Sequence, residues 1–263
     1  MTQPPAPACR LPDPIHDHYQ RLAGAHTVGT KAARETEQLI KEAIEHHSII
    51  CIHGQVGLGK TFAVHRALRK FAPHNTVRLR FDASATKTEV YHAFWRALAL
   101  PGKPLDNLAA CKDDIRQALA SQPHVLLIDE VQNISTSLME TARILWDEET
   151  NPLTVILVGS GNTRQRVLRH APLHSRLYQA QQFRPLSLAE VFNNIPPYHA
   201  VWNDADQDLL AFTDDAGAHG YFRNWAKITF HAQEALKKNP ELTMSKELIR
   251  WILGRLDTTT RHS

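Results

Sequence analysis

The chain has 263 residues, 43% hydrophobic and 22% charged, with a formal net charge of +3. That composition is ordinary for a soluble globular protein and leaves room for one α/β domain plus a small appendage. It excludes a chain whose overall charge alone announces nucleic acid. Charge distribution says more: residues 46–81 hold six Lys/Arg and no acid, and residues 159–189 hold five Arg and no acid. Such clusters suit contact with polyanions or solvated basic faces alike. Three cysteines, Cys9, Cys51 and Cys111, lack metal-like spacing and suggest no disulfide framework. With no signal peptide and no long apolar span in the sequence, the expected location is the cytoplasm, without a membrane partner.

Five prolines within the first 15 residues predict that this stretch is extended and poorly ordered, within a Pro-rich N-terminal segment over residues 1–23. A helix is expected from Lys31 to His47, with Leu39, Ile40, Ala43 and Ile44 on one stripe. Ile49 to Ile52 is a continuous apolar run, a buried strand, and Thr61 to Leu68 reads as a helix. Thr76 to Phe81 alternates strictly, which marks a strand with one wetter face near a sheet edge. Thr86-Lys87-Thr88-Glu89 is a capping box opening a helix with Val90, Phe94 and Leu98 on one face. Leu108, Cys111, Ile115 and Ala118 share the next helix. His124 to Ile128 and Leu153 to Val158 are two more continuous apolar strands, separated by a helix that Ser137 caps. A short helix, Thr163 to Arg169, precedes a brief strand around Gln182 and Phe183. From Ser187 the pattern is helical only, in four segments ending near Leu256. The expected fold is therefore α/β: a parallel five-stranded core over 24–186, a small all-helical lid over 187–257 and a tail from 258.

Gly54-Gln55-Val56-Gly57-Leu58-Gly59-Lys60-Thr61 fits the phosphate-binding loop G-x-x-x-x-G-K-[ST], between strand and helix as the chemistry requires. There the backbone N–H groups and the positive end of the helix converge on one place, which suits a polyphosphate. Lys60 is expected to reach the β- and γ-phosphates, Thr61 to ligate Mg²⁺, and Phe62 to continue the contact surface. The strand His124–Ile128 runs into Asp129-Glu130, so its carboxyl end delivers two carboxylates to the same rim. Asp129 is expected to hold Mg²⁺ through its water shell, and Glu130 to act as general base on an attacking water. The paired glutamate and the absence of an Asn-Lys-x-Asp motif point to adenine over guanine, hence to ATP.

Further parts follow in the order of the AAA+ ATPases, which the chain resembles from about residue 24 to 256. Ser160, at the tip of the strand after Glu130, resembles sensor 1, with Asn162 as a rival that also suits a helix N-cap. Arg176 stands where that family carries its arginine finger, and reads equally as a surface arginine in an arginine-rich stretch. Gly220-Tyr221-Phe222-Arg223 resembles the G-x-x-R of sensor 2, which makes Arg223 a γ-phosphate contact. Within AAA+, the short chain, the run Val155 to Ser160 and the lid segment Gly217 to Lys237 resemble the transposition ATPases TniB, TnsC and MuB.

That resemblance implies an ATP-dependent regulator that assembles on duplex DNA as a ring or helical filament and recruits a transposase or TniQ-like partner. Lys87 and Lys103, with Arg78 and Arg80 behind them, are the expected phosphate-backbone contacts. The alternative is a regulatory switch of ExeA or signalling type that acts on a protein partner without DNA.

Overall fold

A computed structural model describes residues 11–79, 85–104 and 107–260, the last four as backbone only. Cys9, Arg80 and Phe81 lie outside the described residues. The α-helices and strands run α1 (Lys31–Glu45), β1 (Ile49–His53), α2 (Lys60–Phe71), β2 (Thr76–Leu79), α3 (Lys87–Ala97), α4 (Leu108–Ala120), β3 (His124–Ile128) and α5 (Thr136–Asp147). They continue as β4 (Leu153–Gly159), α6 (Thr163–Arg169), α7 (Ala171–His174), β5 (Leu177–Gln182), α8 (Leu188–Asn194), α9 (Gln207–Thr213), α10 (Phe222–Lys238) and α11 (Lys246–Thr260).

The strands form one parallel sheet in the order β2-β3-β4-β1-β5. Every residue of β1, β3 and β4 is buried, because helices cover both faces of a parallel sheet; this is why these strands read as unbroken apolar runs. β2 and β5 are the edges. In space it is β4, and not β2, that separates β1 from β3, so the ends of β1, β4 and β3 stand side by side. His53 pairs in register with Gly159, and Ile128 with Leu157.

Contacts divide the chain into two units. The first comprises, of the described residues, residue 11 and those within 35–56 and 60–183, and holds the sheet with a core that includes Phe94, Ile115, Leu126, Leu138 and Leu157. The capping box at Thr86 is present in both halves. The cap of α5 differs from the expected one: Ser135, in extended geometry, accepts from the Leu138 N–H at 3.3 Å, and Ser137 already lies inside the helix.

The second unit comprises, of the described residues, 12–34, 57–59 and 184–260. Its core is built around Trp202 and Trp225, both fully buried, with ring centroids 5.2 Å apart at 78°. Each indole N–H has an acceptor, Thr229 Oγ1 at 2.8 Å and Asp214 Oδ1 at 3.1 Å respectively. The proline-bearing segment is not simply extended. Pro14–Asp17 and Tyr19–Arg21 form 3₁₀ turns, Leu22 packs with Tyr198 and Ala226, and the His26 N–H donates to the Tyr198 carbonyl at 2.8 Å. No described helix is long and apolar enough to cross a membrane.

Among the described residues, five imidazoles carry a pH consequence. Burial holds His18, His53, His124, His199 and His231 below the ordinary 6.5. The unfolded chain therefore binds protons near and below that pH that the native chain refuses, so stability falls on acidification through that range. The expected result is a melting temperature that is flat above about pH 7 and drops progressively toward pH 5. A melting temperature that rises over that interval contradicts the assignment.

Candidate active site

The loop after β1 is fixed by sterics as well as by sequence pattern. Gly54 has φ of +147°, and a Cβ there would stand 2.6 Å from the Phe183 carbonyl oxygen, so only glycine fits. The same stretch of β5 side is pinned by the Phe183 N–H donating to the His53 carbonyl at 2.7 Å. α2 starts at Lys60, so its first-turn N–H groups face the loop. The Lys60 side chain is 7% exposed and donates to the carbonyls of Gly54 at 2.9 Å and Gln55 at 2.7 Å. Gln55 and Val56 are exposed, Leu58 is buried, and Thr61 and Phe62 are half-buried. Together these give a cationic nitrogen, a helix N-terminus and a hydroxyl around one glycine-rich turn, a construction suited to a phosphate chain.

β3 delivers the acids. Asp129 is 4% exposed and its Oδ1 accepts from the Glu130 N–H at 3.0 Å. Glu130 is exposed and adopts left-handed backbone geometry with φ of +56°, uncommon for a non-glycine residue. This turn takes the chain off the end of the strand. The acids and the Thr61 hydroxyl offer only oxygen donors, the ligand chemistry that Mg²⁺ takes; Asp129 and Thr61 are the residues that would hold it.

Arg78 departs from expectation. It lies on β2 with its side chain 11% exposed, and its Nη2 stands 3.7 Å from Asp129 Oδ2. Its charge is directed into the site, so it is withdrawn from the outward-facing basic set. Lys87, in the first turn of α3, and Lys103, in the bend after α3, are exposed. Arg80 lies outside the described residues.

β4 ends at Gly159, and Ser160 is 7% exposed with its N–H donating to Gln132 Oε1 at 2.8 Å. Asn162 precedes α6 and makes no side-chain capping bond, which leaves Ser160 as the residue held against the acid loop. Gln132 itself was not anticipated. Its only sequence signal is its position two residues beyond Glu130. Arg176 is one-third exposed; its guanidinium donates to Asp147 and, at 2.7 Å, to the Pro172 carbonyl. Within the second unit, Arg223 lies exposed in the first turn of α10, and its N–H donates to the Gly57 carbonyl at 2.9 Å.

Residues 41–167 match the sequence profile of a family described as AAA domain. No curated protein matches the chain. Three solved structures illustrate the likeness of fold. The Cdc6p protein of Pyrobaculum aerophilum superposes with a TM-score of 0.67 at 13% identity, over 88% of this chain and 69% of its own. The ORC1 protein of Aeropyrum pernix, solved in complex with DNA, gives 0.64 at 15%, over 87% and 66%. The ORC2 protein of Aeropyrum pernix, solved as ADPNP-ADP complexes, gives 0.61 at 16%, over 84% and 66%. The chain thus spans about two thirds of the length of these proteins. It has the α/β P-loop AAA+ fold, a five-stranded parallel sheet followed by a helical C-terminal region.

Proposed function

We propose that this protein is a Mg²⁺-dependent ATPase that binds duplex DNA as a homo-oligomeric ring or filament and regulates transposition by recruiting a transposase or TniQ-like partner. One observation carries the ATPase reading. The neighbouring ends of β1, β3 and β4 lead into Lys60, the Asp129-Glu130 pair and Ser160 respectively, the set that γ-phosphate cleavage needs. Lys60 exchanges its two carbonyl partners for phosphate oxygens, Thr61 and Asp129 hold the metal, and Glu130 takes the proton of the attacking water. Bound Mg²⁺ supplies charge neutralisation on the phosphates. Ser160 and Arg223 orient the γ-phosphate, Arg223 anchored through its backbone to Gly57. Arg176 acts as a finger toward a neighbouring copy after releasing Asp147, which makes turnover depend on assembly.

The DNA reading draws support from the fold shared with a protein solved in complex with DNA, and from exposed Lys87 and Lys103. Such contacts go to phosphates and are blind to sequence. The test is co-sedimentation with duplex DNA in a slowly hydrolysed ATP analogue against ADP. Pelleting is expected only with the analogue. Replacing Lys87 and Lys103 together by alanine weakens binding and reduces the slope of log affinity against log salt by about two. Unchanged binding removes both lysines from the interface. One observation favours a protein-directed switch of ExeA or signalling type instead: Arg78 faces Asp129 and is lost to any DNA surface. Under that reading neither nucleotide state pellets with DNA.

A further inference from the structure

Glu130 is an exposed carboxylate on a short 3₁₀ turn, and an exposed acid ordinarily samples several rotamers. A general base works only when its oxygen is held at one position relative to the water it deprotonates. Gln132 holds it. The Gln132 Nε2 donates to Glu130 Oε2, while its Oε1 accepts from the Ser160 N–H at 2.8 Å and lies 3.2 Å from Thr163 Oγ1.

The orientation of this carboxamide is settled by its partners. A backbone N–H can only donate, so the atom facing Ser160 is the oxygen, and the amide nitrogen is left facing Glu130. Thr163 is fully buried and gives its one hydroxyl proton to the Ser160 carbonyl at 2.7 Å, so it packs against the amide oxygen and walls the far side of the clamp. Gly159 provides an independent sign that the clamp is built in. Its φ is not positive, so backbone geometry does not call for glycine. A Cβ at Gly159, however, would stand 2.2 Å from Thr163 Oγ1 and 2.6 Å from Gln132 Oε1. Any side chain at the end of β4 would occupy the place of the amide.

We propose that Gln132 is a positioning residue for hydrolysis, which ties the Glu130 carboxylate to the end of β4 so that the base and the strand carrying Ser160 hold one register. This inference rests on the reading of Glu130 as the general base. The carboxamide acts by holding the Glu130 carboxylate against the Ser160 end of β4. Its loss therefore lowers the rate of the chemical step and leaves nucleotide affinity intact.

The experiment measures kcat, KM and single-turnover rate on the full chain, with affinity for a fluorescent ATP analogue, in Gln132→Ala, Gln132→Glu, Gly159→Ala and Glu130→Gln. Gln132→Ala is expected to lose about tenfold or more in kcat, with KM and analogue affinity within about twofold of the parent. Gln132→Glu can still accept from Ser160 but repels Glu130, so it loses at least as much. Gly159→Ala, whose methyl group presses on Thr163 and on the amide oxygen while residue 132 stays glutamine, gives the same split. In the Glu130→Gln background the further loss on adding Gln132→Ala shrinks to within about twofold, because both changes remove one function. Parental or raised kcat in Gln132→Ala and Gln132→Glu overturns the inference, as do losses that simply multiply in the double variant. If the parent turns over ATP and Glu130→Gln does so equally well, the base assignment itself falls. A parent without turnover sinks the ATPase reading.

Discussion

Lys60→Ala is expected to abolish nucleotide binding at micromolar concentrations and to lower ATP turnover by about a thousandfold or more, whereas Glu130→Gln lowers turnover comparably and keeps the nucleotide. The contrast follows from where the two side chains sit. Lys60 is 7% exposed, and its ammonium is lodged inside the loop against the Gly54 and Gln55 carbonyls. Removing it takes away ground-state and transition-state attraction together and frees two carbonyls to face the incoming phosphates. Glu130 is exposed, off the strand end, and contributes nothing to the packing of the sheet. An isosteric amide at that position still accepts from Gln132 but cannot take a proton, so affinity survives and the chemical step does not. Fluorescent-nucleotide titration and steady-state turnover, run side by side, separate the two. Normal turnover in Glu130→Gln assigns the proton transfer elsewhere; tight binding by Lys60→Ala removes the loop from the site.

Buried parallel strands are easy to read because nothing interrupts them: Ile49 to Ile52, His124 to Ile128 and Leu153 to Val158 are all apolar but for His124 and Thr154. The loops that follow them inherit their positions from the sheet, so the phosphate loop, Asp129-Glu130 and Ser160 could be named from the chain alone. β5 was visible only at its end, because its residues Tyr178 to Gln182 are mostly polar and sit on a wet edge. The described part of the Pro-rich segment, residues 11–23, read as loose because proline content is local information. Its contacts with Tyr198 and Ala226 join positions far apart in sequence, which no pattern within the segment records. Ser135, Thr136 and Ser137 all suit an N-cap by type, and only the backbone, extended at Ser135, decides among them. Gln132 and Arg78 belong to a further class. Each acts across the sheet, and their roles depend on strand order and register.

Register explains the Arg78 contact and yields the second large effect. Arg78 on β2 pairs with Leu127 on β3, and side chains two apart on a strand share a face. A long side chain at position 78 thus runs along the face toward Asp129, which is how Nη2 comes within 3.7 Å of Oδ2 with 11% and 4% of the side chains exposed. Replacing the guanidinium by a methionine of similar reach keeps the packing of the stem and removes the charge. A buried carboxylate that loses its nearby cation costs the fold several kcal/mol, and at this separation the low end applies, about 3 kcal/mol. Arg78→Met should therefore unfold at markedly lower urea concentration than the parent, with Arg78→Lys recovering part of the difference. Asp129 is also the expected metal ligand, so a divalent cation offsets the same negative charge. The stability gap between parent and Arg78→Met is expected to shrink by at least half when Mg²⁺ and a slowly hydrolysed ATP analogue are present. The Mg²⁺ concentration that half-saturates analogue binding should fall in the variant, because the metal no longer competes with a resident guanidinium. A gap that does not change on adding Mg²⁺ and analogue separates Arg78 from the metal site. Parental stability in Arg78→Met shows that the ion pair adds nothing to the fold.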